Sequence, residues 1–206
     1  MMDGIQMLIQ LIGGLGLFLY GMKLMGEGLE NAAGENLKNI LEKVSNKFMG
    51  VIVGAIVTAI IQSSSATSVM VVSFVNAGLM NLSQTVGVTM GANIGTTITA
   101  QMVTLDFEAI VPLFIGIGAI MLLTVKKKKT KDIAAIILGF GVLFLGMSTM
   151  SGAMEPLKES NAFKEVIDVM GNNIFLGVLA GLVATAILQS SSATTGILVA
   201  LGSTGV

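Results

Sequence analysis

The sequence predicts an all-α integral membrane protein made of two inverted repeats, each with a transmembrane helix, an interfacial helix and a re-entrant helical hairpin. Three observations predict it: a charge-poor composition, a gapless internal repeat, and a basic loop between the repeats. Hydrophobic residues make up 53% of the 206 and charged residues 11%, with a mean hydropathy of +0.89; soluble domains carry charge at roughly 25%. No Asp, Glu, Lys or Arg occurs in 5–20, 48–105 or 133–154. A bilayer core of about 30 Å calls for spans of about 20 apolar residues, and several such stretches disfavour a soluble core. Met1-Met2-Asp3 provides no basic n-region and no cleavage site follows, so the first apolar run reads as a span rather than a signal peptide.

The repeat organises the chain. Residues 46–67 align without gaps on 173–194, and both segments end in Gln-Ser-Ser-Ser-Ala-Thr. Upstream, Gly21-Met22, Met25 and Glu30 recur as Gly146-Met147, Met150 and Glu155. The first repeat covers 1–125, a Lys-rich loop 126–131, and the second repeat 132–206, with hairpins at about 48–80 and from about 173. The second repeat lacks a counterpart of the segment after the first hairpin, so the chain reads as truncated there.

Each repeat opens with an apolar helix, over 5–25 and 133–150. An amphipathic stretch follows. Leu37, Ile40, Leu41 and Val44 share one face in the first repeat, and Phe163, Val166, Ile167 and Met170 in the second. These segments suit the membrane interface or a solvated connector. The serine motifs come next. Residues 48–62 and 66–80 are each too short to span, and as one straight helix too long to cross once without severe tilt. Three serines between them compete for backbone hydrogen bonds. The expected shape is a hairpin turning at Ser63-Ser64-Ser65, with a kinked pair of spans as the alternative.

Residues 84–104 then carry Gly87, Gly91 and Gly95 at four-residue spacing. That spacing means either close helix packing or a break in the helix around Asn93. Residues 111–125 return through the membrane to Lys126-Lys127-Lys128-Lys129-Thr130-Lys131. Short basic loops stay in the cytoplasm; between two spans this run is a topology signal rather than a nucleic-acid patch. The first hairpin then opens to the cytoplasm, the N-terminus starts outside, and an odd number of crossings inverts the second repeat, as in many secondary transporters.

The chemistry is narrowed by absence. The chain has no Cys and no His, which removes thiolate sites and the usual general base. All eleven basic residues are lysines. Serines without an activating partner are not nucleophiles, so the chain is not expected to be an enzyme and needs no cofactor. A site at membrane depth must use neutral groups. Hydroxyls and amides such as those of Gln62, Ser68, Asn93 and Thr195 can donate to an anion and can ligate a hard cation through oxygen. Helix N-termini after each serine run add oriented N–H groups. Isolated residues such as Thr58 and Ser148 are better read as packing contacts.

At QSSSATSVMVVSFVNAG (62–78), GANIGTT (91–97) and the second QSSSAT (189–194), the sequence resembles the type II sodium–phosphate cotransporter family. The resemblance implies a multi-pass cell-membrane protein, often a homodimer, that carries inorganic phosphate with Na+ as the coupling ion. It makes Gln62, Ser63, Ser64, Ser65, Gln189, Ser190, Ser191 and Ser192 the substrate-site candidates. Asn93, Thr96 and Thr97, with Thr67 and Thr194 just inside the hairpins, are the sodium candidates. The other readings are a sodium-coupled carrier of another small anion and a non-transporting assembly or sensor subunit.

Overall fold

The computed structural model describes residues 4–103, 107–156, 160, 163, 165, 169, 171–188 and 190–203. The regular structure among them is helical: α1 (Gly4–Glu42), α2 (Lys47–Ile61), α3 (Ser64–Asn76), α4 (Leu82–Val103), a 3-10 turn (Glu108–Ile110), α5 (Val111–Thr124), α6 (Lys128–Met154), α7 (Ile174–Leu188) and α8 (Ser191–Ser203). Among the described residues two stretches are long and apolar enough to cross a membrane, Gly4–Ala33 and Lys128–Met154. At about 1.5 Å per residue α5 is only about 21 Å long, short for the span expected over 111–125.

Helix α1 departs from expectation. The anticipated interfacial helix of the first repeat is not a separate element, because α1 runs unbroken for 39 residues. Gly26-Glu27-Gly28 looks like a breaker, but a Cβ at Gly28 would lie 2.7 Å from the Asp132 carbonyl oxygen. The glycine is a seat for α6, and no proline interrupts the run. The amphipathic face also packs inward except at Ile40, which is 40% exposed. Leu37, Leu41 and Val44 are buried with Val53, Val57 and Ile61 of α2, Val71 and Phe74 of α3 and Val88 of α4. The matching stretch of the second repeat, 157–170, lies largely outside the described residues.

Glycines bring α1 and α6 into backbone contact. Gly14 lies against Gly146 and Met150, Gly21 against Gly139 and Leu143, and Gly28 against Asp132 and Ile136. Residue numbers rise on α1 as they fall on α6, so the two helices are antiparallel. A second core forms around this contact, with Phe18 and Met25 of α1, Val111 of α5, and Leu143, Phe144, Met147 and Met150 of α6.

Helices α2 and α4 meet in the same manner but run parallel. Gly87 sits on the Lys47 carbonyl, Gly91 on that of Val51 and Gly95 on that of Ala55, a constant offset of 40 residues. Close packing is therefore the role of this stripe. Helix α4 is continuous through Asn93, so the expected alternative of a break there is not found. Parallel α2 and α4 require α3 to return the chain between them.

The return is made at the serine motif. Gln62 caps α2 in the left-handed region (φ 59°, ψ 24°), its N–H donating to the Thr58 carbonyl at 2.7 Å. Ser63 is extended and its Oγ accepts from the Ala66 N–H at 3.1 Å, starting α3. The reversal therefore lies at Gln62-Ser63, one residue earlier than expected, with Ser64 and Ser65 already in the first turn of α3. Fully buried Thr58 and Thr67 join their hydroxyls across it at 2.9 Å. In a straight helix these residues would stand about 13 Å apart.

Among the described residues, the α7–α8 pair repeats the hydroxyl and capping bonds of this turn 127 residues on. Ser190 Oγ accepts from Ala193 N–H at 3.2 Å, Thr185 donates to Thr194 at 3.0 Å, and Asn173 caps α7 as Asn46 caps α2. What surrounds the two pairs differs. On α2, Gly50, Val53, Gly54 and Val57 are buried, the two glycines against α4, whereas α7 has no buried residue.

Two outcomes follow for thermal unfolding in detergent. Gly54→Leu, whose Cβ would collide with the Val88 backbone, lowers stability by about 1–3 kcal/mol through overpacking, whereas Gly181→Leu, which meets nothing within 4 Å, stays within about 0.5 kcal/mol. Thr58→Val and Thr67→Val each cost about 1 kcal/mol, and the double variant costs less than their sum because the two hydroxyls share one bond.

Candidate functional site

The second serine turn faces α4 across a cavity of about 270 Å³. Asn93, Thr96, Thr97 and Ala100 line it from α4, Ser191, Ser192, Thr195, Gly196 and Val199 from α8, and Phe18 from α1. Helix periodicity selects these side chains. Residues 93, 96, 97 and 100 share one face of α4, while the glycine stripe at 87, 91 and 95 occupies the face against α2. The same continuity that excludes a break at Asn93 thus aims its amide away from α2.

Some of these polar groups are already committed and some are open. Thr96 Oγ1 donates to the Ala92 carbonyl at 3.0 Å, Thr97 Oγ1 to Ile94 at 2.7 Å, and Thr195 Oγ1 to Ser191 at 2.9 Å. Their lone pairs remain able to accept or to ligate a cation. Asn93, Ser191 and Ser192 make no side-chain hydrogen bond among the described residues. Ser191 and Ser192 also open the first turn of α8, where backbone N–H groups lack intrahelical partners and the helix dipole is positive. No charged side chain among the described residues lines the cavity. Among the described residues no cluster of acidic side chains could hold a metal ion, so a cation here would rely on neutral oxygens.

The candidates from sequence fall in different places. Ser191, Ser192, Asn93, Thr96 and Thr97 come together at this cavity. Gln62, Ser63, Ser64 and Ser65 form the other turn and do not line it. Ser63 and Ser190 act as helix caps, and Gln62 Nε2 donates to the Ala59 carbonyl. Thr67 and Thr194 are buried, each bonded across its turn and each donating to the carbonyl of the capping serine, at 3.1 and 3.2 Å. Gln189 lies outside the described residues. Phe18, Gly196, Ala100 and Val199 were not foreseen. Apolar residues in apolar helices carry no local signal, although Gly196 is marked by standing where the first repeat has Val69.

Comparison with known proteins bears on the same elements. Over 200 residues the chain is 28% identical to YjbB of Escherichia coli K12, a protein named for inorganic phosphate export, covering 97% of this chain and 37% of YjbB. It is 27% identical over 190 residues to the uncharacterized protein YqeW of Bacillus subtilis, covering 92% of this chain and 62% of that one. Human sodium-dependent phosphate transport protein 2B is 33% identical over 106 residues, 50% of this chain and 15% of the human protein. The chain thus spans little more than a third of YjbB and under two thirds of YqeW. No solved structure gives a significant match. The Na+/Pi-cotransporter family model matches twice, over 17–152 and 147–206, so each match takes in one serine turn. With both halves of the chain accounted for in this way, the protein belongs to the Na+/Pi-cotransporter family, a family of transporters and not of enzymes.

Proposed function

We propose that this protein is a sodium-coupled carrier of inorganic phosphate, or a part of one, in the cell membrane. The observation that carries the reading is the neutral cavity in which Asn93, Thr96 and Thr97 face Ser191 and Ser192. Hydroxyl and amide donors at a helix N-terminus suit phosphate oxygens. The hydroxyl and amide oxygens of the same lining suit Na+. With no fixed positive charge in the lining, anion affinity depends on the bound cation, which is the physical requirement for coupling. Family membership and the names of YjbB and the 2B protein support phosphate as the substrate.

Several features support the membrane arrangement. Large apolar side chains lie open, among them Ile9 (63%), Ile12 (61%), Leu123 (86%) and Phe175 (85%), as expected of surfaces facing lipid rather than water. Helices α1 and α6 open the two repeats and run antiparallel, which supports repeats of opposite orientation. Helices α2 and α3 are about 22 and 20 Å long at about 1.5 Å per residue, short of a bilayer core of about 30 Å. That supports re-entrant hairpins with the serine turns inside the membrane.

The test is uptake of radiolabelled phosphate by proteoliposomes containing the protein, with and without an inward sodium gradient. Sodium-dependent accumulation is the expected result; correct insertion without uptake sinks the reading in favour of another anion or a non-transport role. Asn93→Ala and Ser191→Ala each reduce phosphate uptake at least about tenfold, since a hydrogen bond to a charged group contributes about 1.5–3 kcal/mol. Gln62 offers a sharper separation, because its left-handed backbone costs a non-glycine residue about 1 kcal/mol or more. Gln62→Gly is therefore expected to hold or raise thermal stability. The first serine turn does not line the cavity, and the substrate role that the family resemblance gives it predicts that Gln62→Gly and Ser64→Ala abolish uptake without preventing insertion.

A further inference from the structure

The two serine motifs are identical for six residues and then diverge. The first continues Ser68-Val69 and the second Thr195-Gly196. Thr195 and Gly196 both line the cavity, whereas Val69, the counterpart of Gly196, is 66% exposed. A Cβ on Gly196 would lie 2.8 Å from Cζ and 2.9 Å from Cε1 of Phe18, so the aromatic ring rests on bare helix backbone. The other end of this residue is held as tightly. Gly146 of α6 abuts the Phe18 backbone, and the side chain is 1% exposed within the α1–α5–α6 core. Phe18 is thus clamped between two glycines while its ring lines the cavity together with Ala100 and Val199, beside the hydroxyls of Thr96, Thr97, Ser191, Ser192 and Thr195.

We propose that Phe18, seated on Gly196, sets the size limit of the cavity and selects a bare tetrahedral oxyanion over one carrying an organic substituent. This rests on the phosphate reading above. A phenyl ring cannot hydrogen-bond a phosphate oxygen, so its contribution is to occupy volume and exclude water. Truncating it leaves an apolar space, which favours a phosphonate whose carbon substituent replaces one oxygen. Adding a methyl group at residue 196, which itself lines the cavity, displaces the ring from its seat and takes up lining space.

The measurement is competition by phenylphosphonate against radiolabelled phosphate uptake in the same proteoliposomes. The readout is the ratio of the phenylphosphonate inhibition constant to the phosphate KM, which does not depend on how much protein has folded. Phe18→Ala is expected to lower that ratio about tenfold or more, the lower end of discrimination by apolar pockets. Phe18→Leu, which retains most of the packing, falls between it and the unmodified protein, and Gly196→Ala raises the phosphate KM. An unchanged ratio in both Phe18 variants, with phosphate uptake intact in the unmodified protein, overturns the proposal. Absence of sodium-dependent phosphate uptake by the unmodified protein overturns instead the function on which it rests.

Discussion

Backbone-to-backbone contact at glycine is the constraint on which this structure depends. At Gly14, Gly21 and Gly28 on α1, and at Gly139 and Gly146 on α6, a Cβ would collide with the facing helix. The same holds where Gly87, Gly91 and Gly95 lay α4 along α2. Such contacts suit a protein whose surroundings provide little hydrophobic drive between helices, because they convert close approach into dispersion and weak polar contacts. They also fix register, since a helix displaced by one residue would drive a side chain into the partner's backbone.

The candidate site is a consequence of that register. Pinning the 87-91-95 face of α4 to α2 leaves the 93-96-97 face turned toward α8, and pinning α1 to α6 brings Phe18 over Gly196. Neither serine motif is placed by its own chemistry. At the first motif a helix stop, the left-handed Gln62 and a helix start reverse the chain, and at the second Ser190 starts α8 in the same way. The buried Thr58–Thr67 bond and the part-buried Thr185–Thr194 bond then close each reversal, and an unpaired hydroxyl would be costly at the buried one. A turn held by side-chain hydroxyls, caps and one left-handed glutamine keeps its first-turn N–H groups directed at whatever lies beyond it.

The two halves illustrate how one local structure acquires two settings. Hydrogen bonds around Ser63 recur around Ser190 within a few tenths of an ångström. Yet Ser191 and Ser192 meet the amide and hydroxyl face of α4, while Ser64 and Ser65 do not line that cavity. The repeats also differ at Val69 and Gly196, the position on which the Phe18 ring rests. Symmetry in the motif therefore coexists with asymmetry in the site.

Sequence by itself determined the helical class, the repeat and its register, the short helices around each serine run and the polar groups available for a site. These are local properties: composition, identity of the two hexapeptides, and the four-residue spacing of Gly87, Gly91 and Gly95. Tertiary structure decided the rest. The sequence places the first apolar helix over 5–25, but α1 continues to Glu42, with Gly28 in contact with Asp132 and Ile136. Leu37, Leu41 and Val44 read as an interfacial stripe until the α2–α4 core is seen to cover them. The pairing of Asn93 with Ser191 and Ser192 depends on the angular setting of helices about 100 residues apart in sequence. That setting is fixed by glycine contacts whose partners no local pattern names.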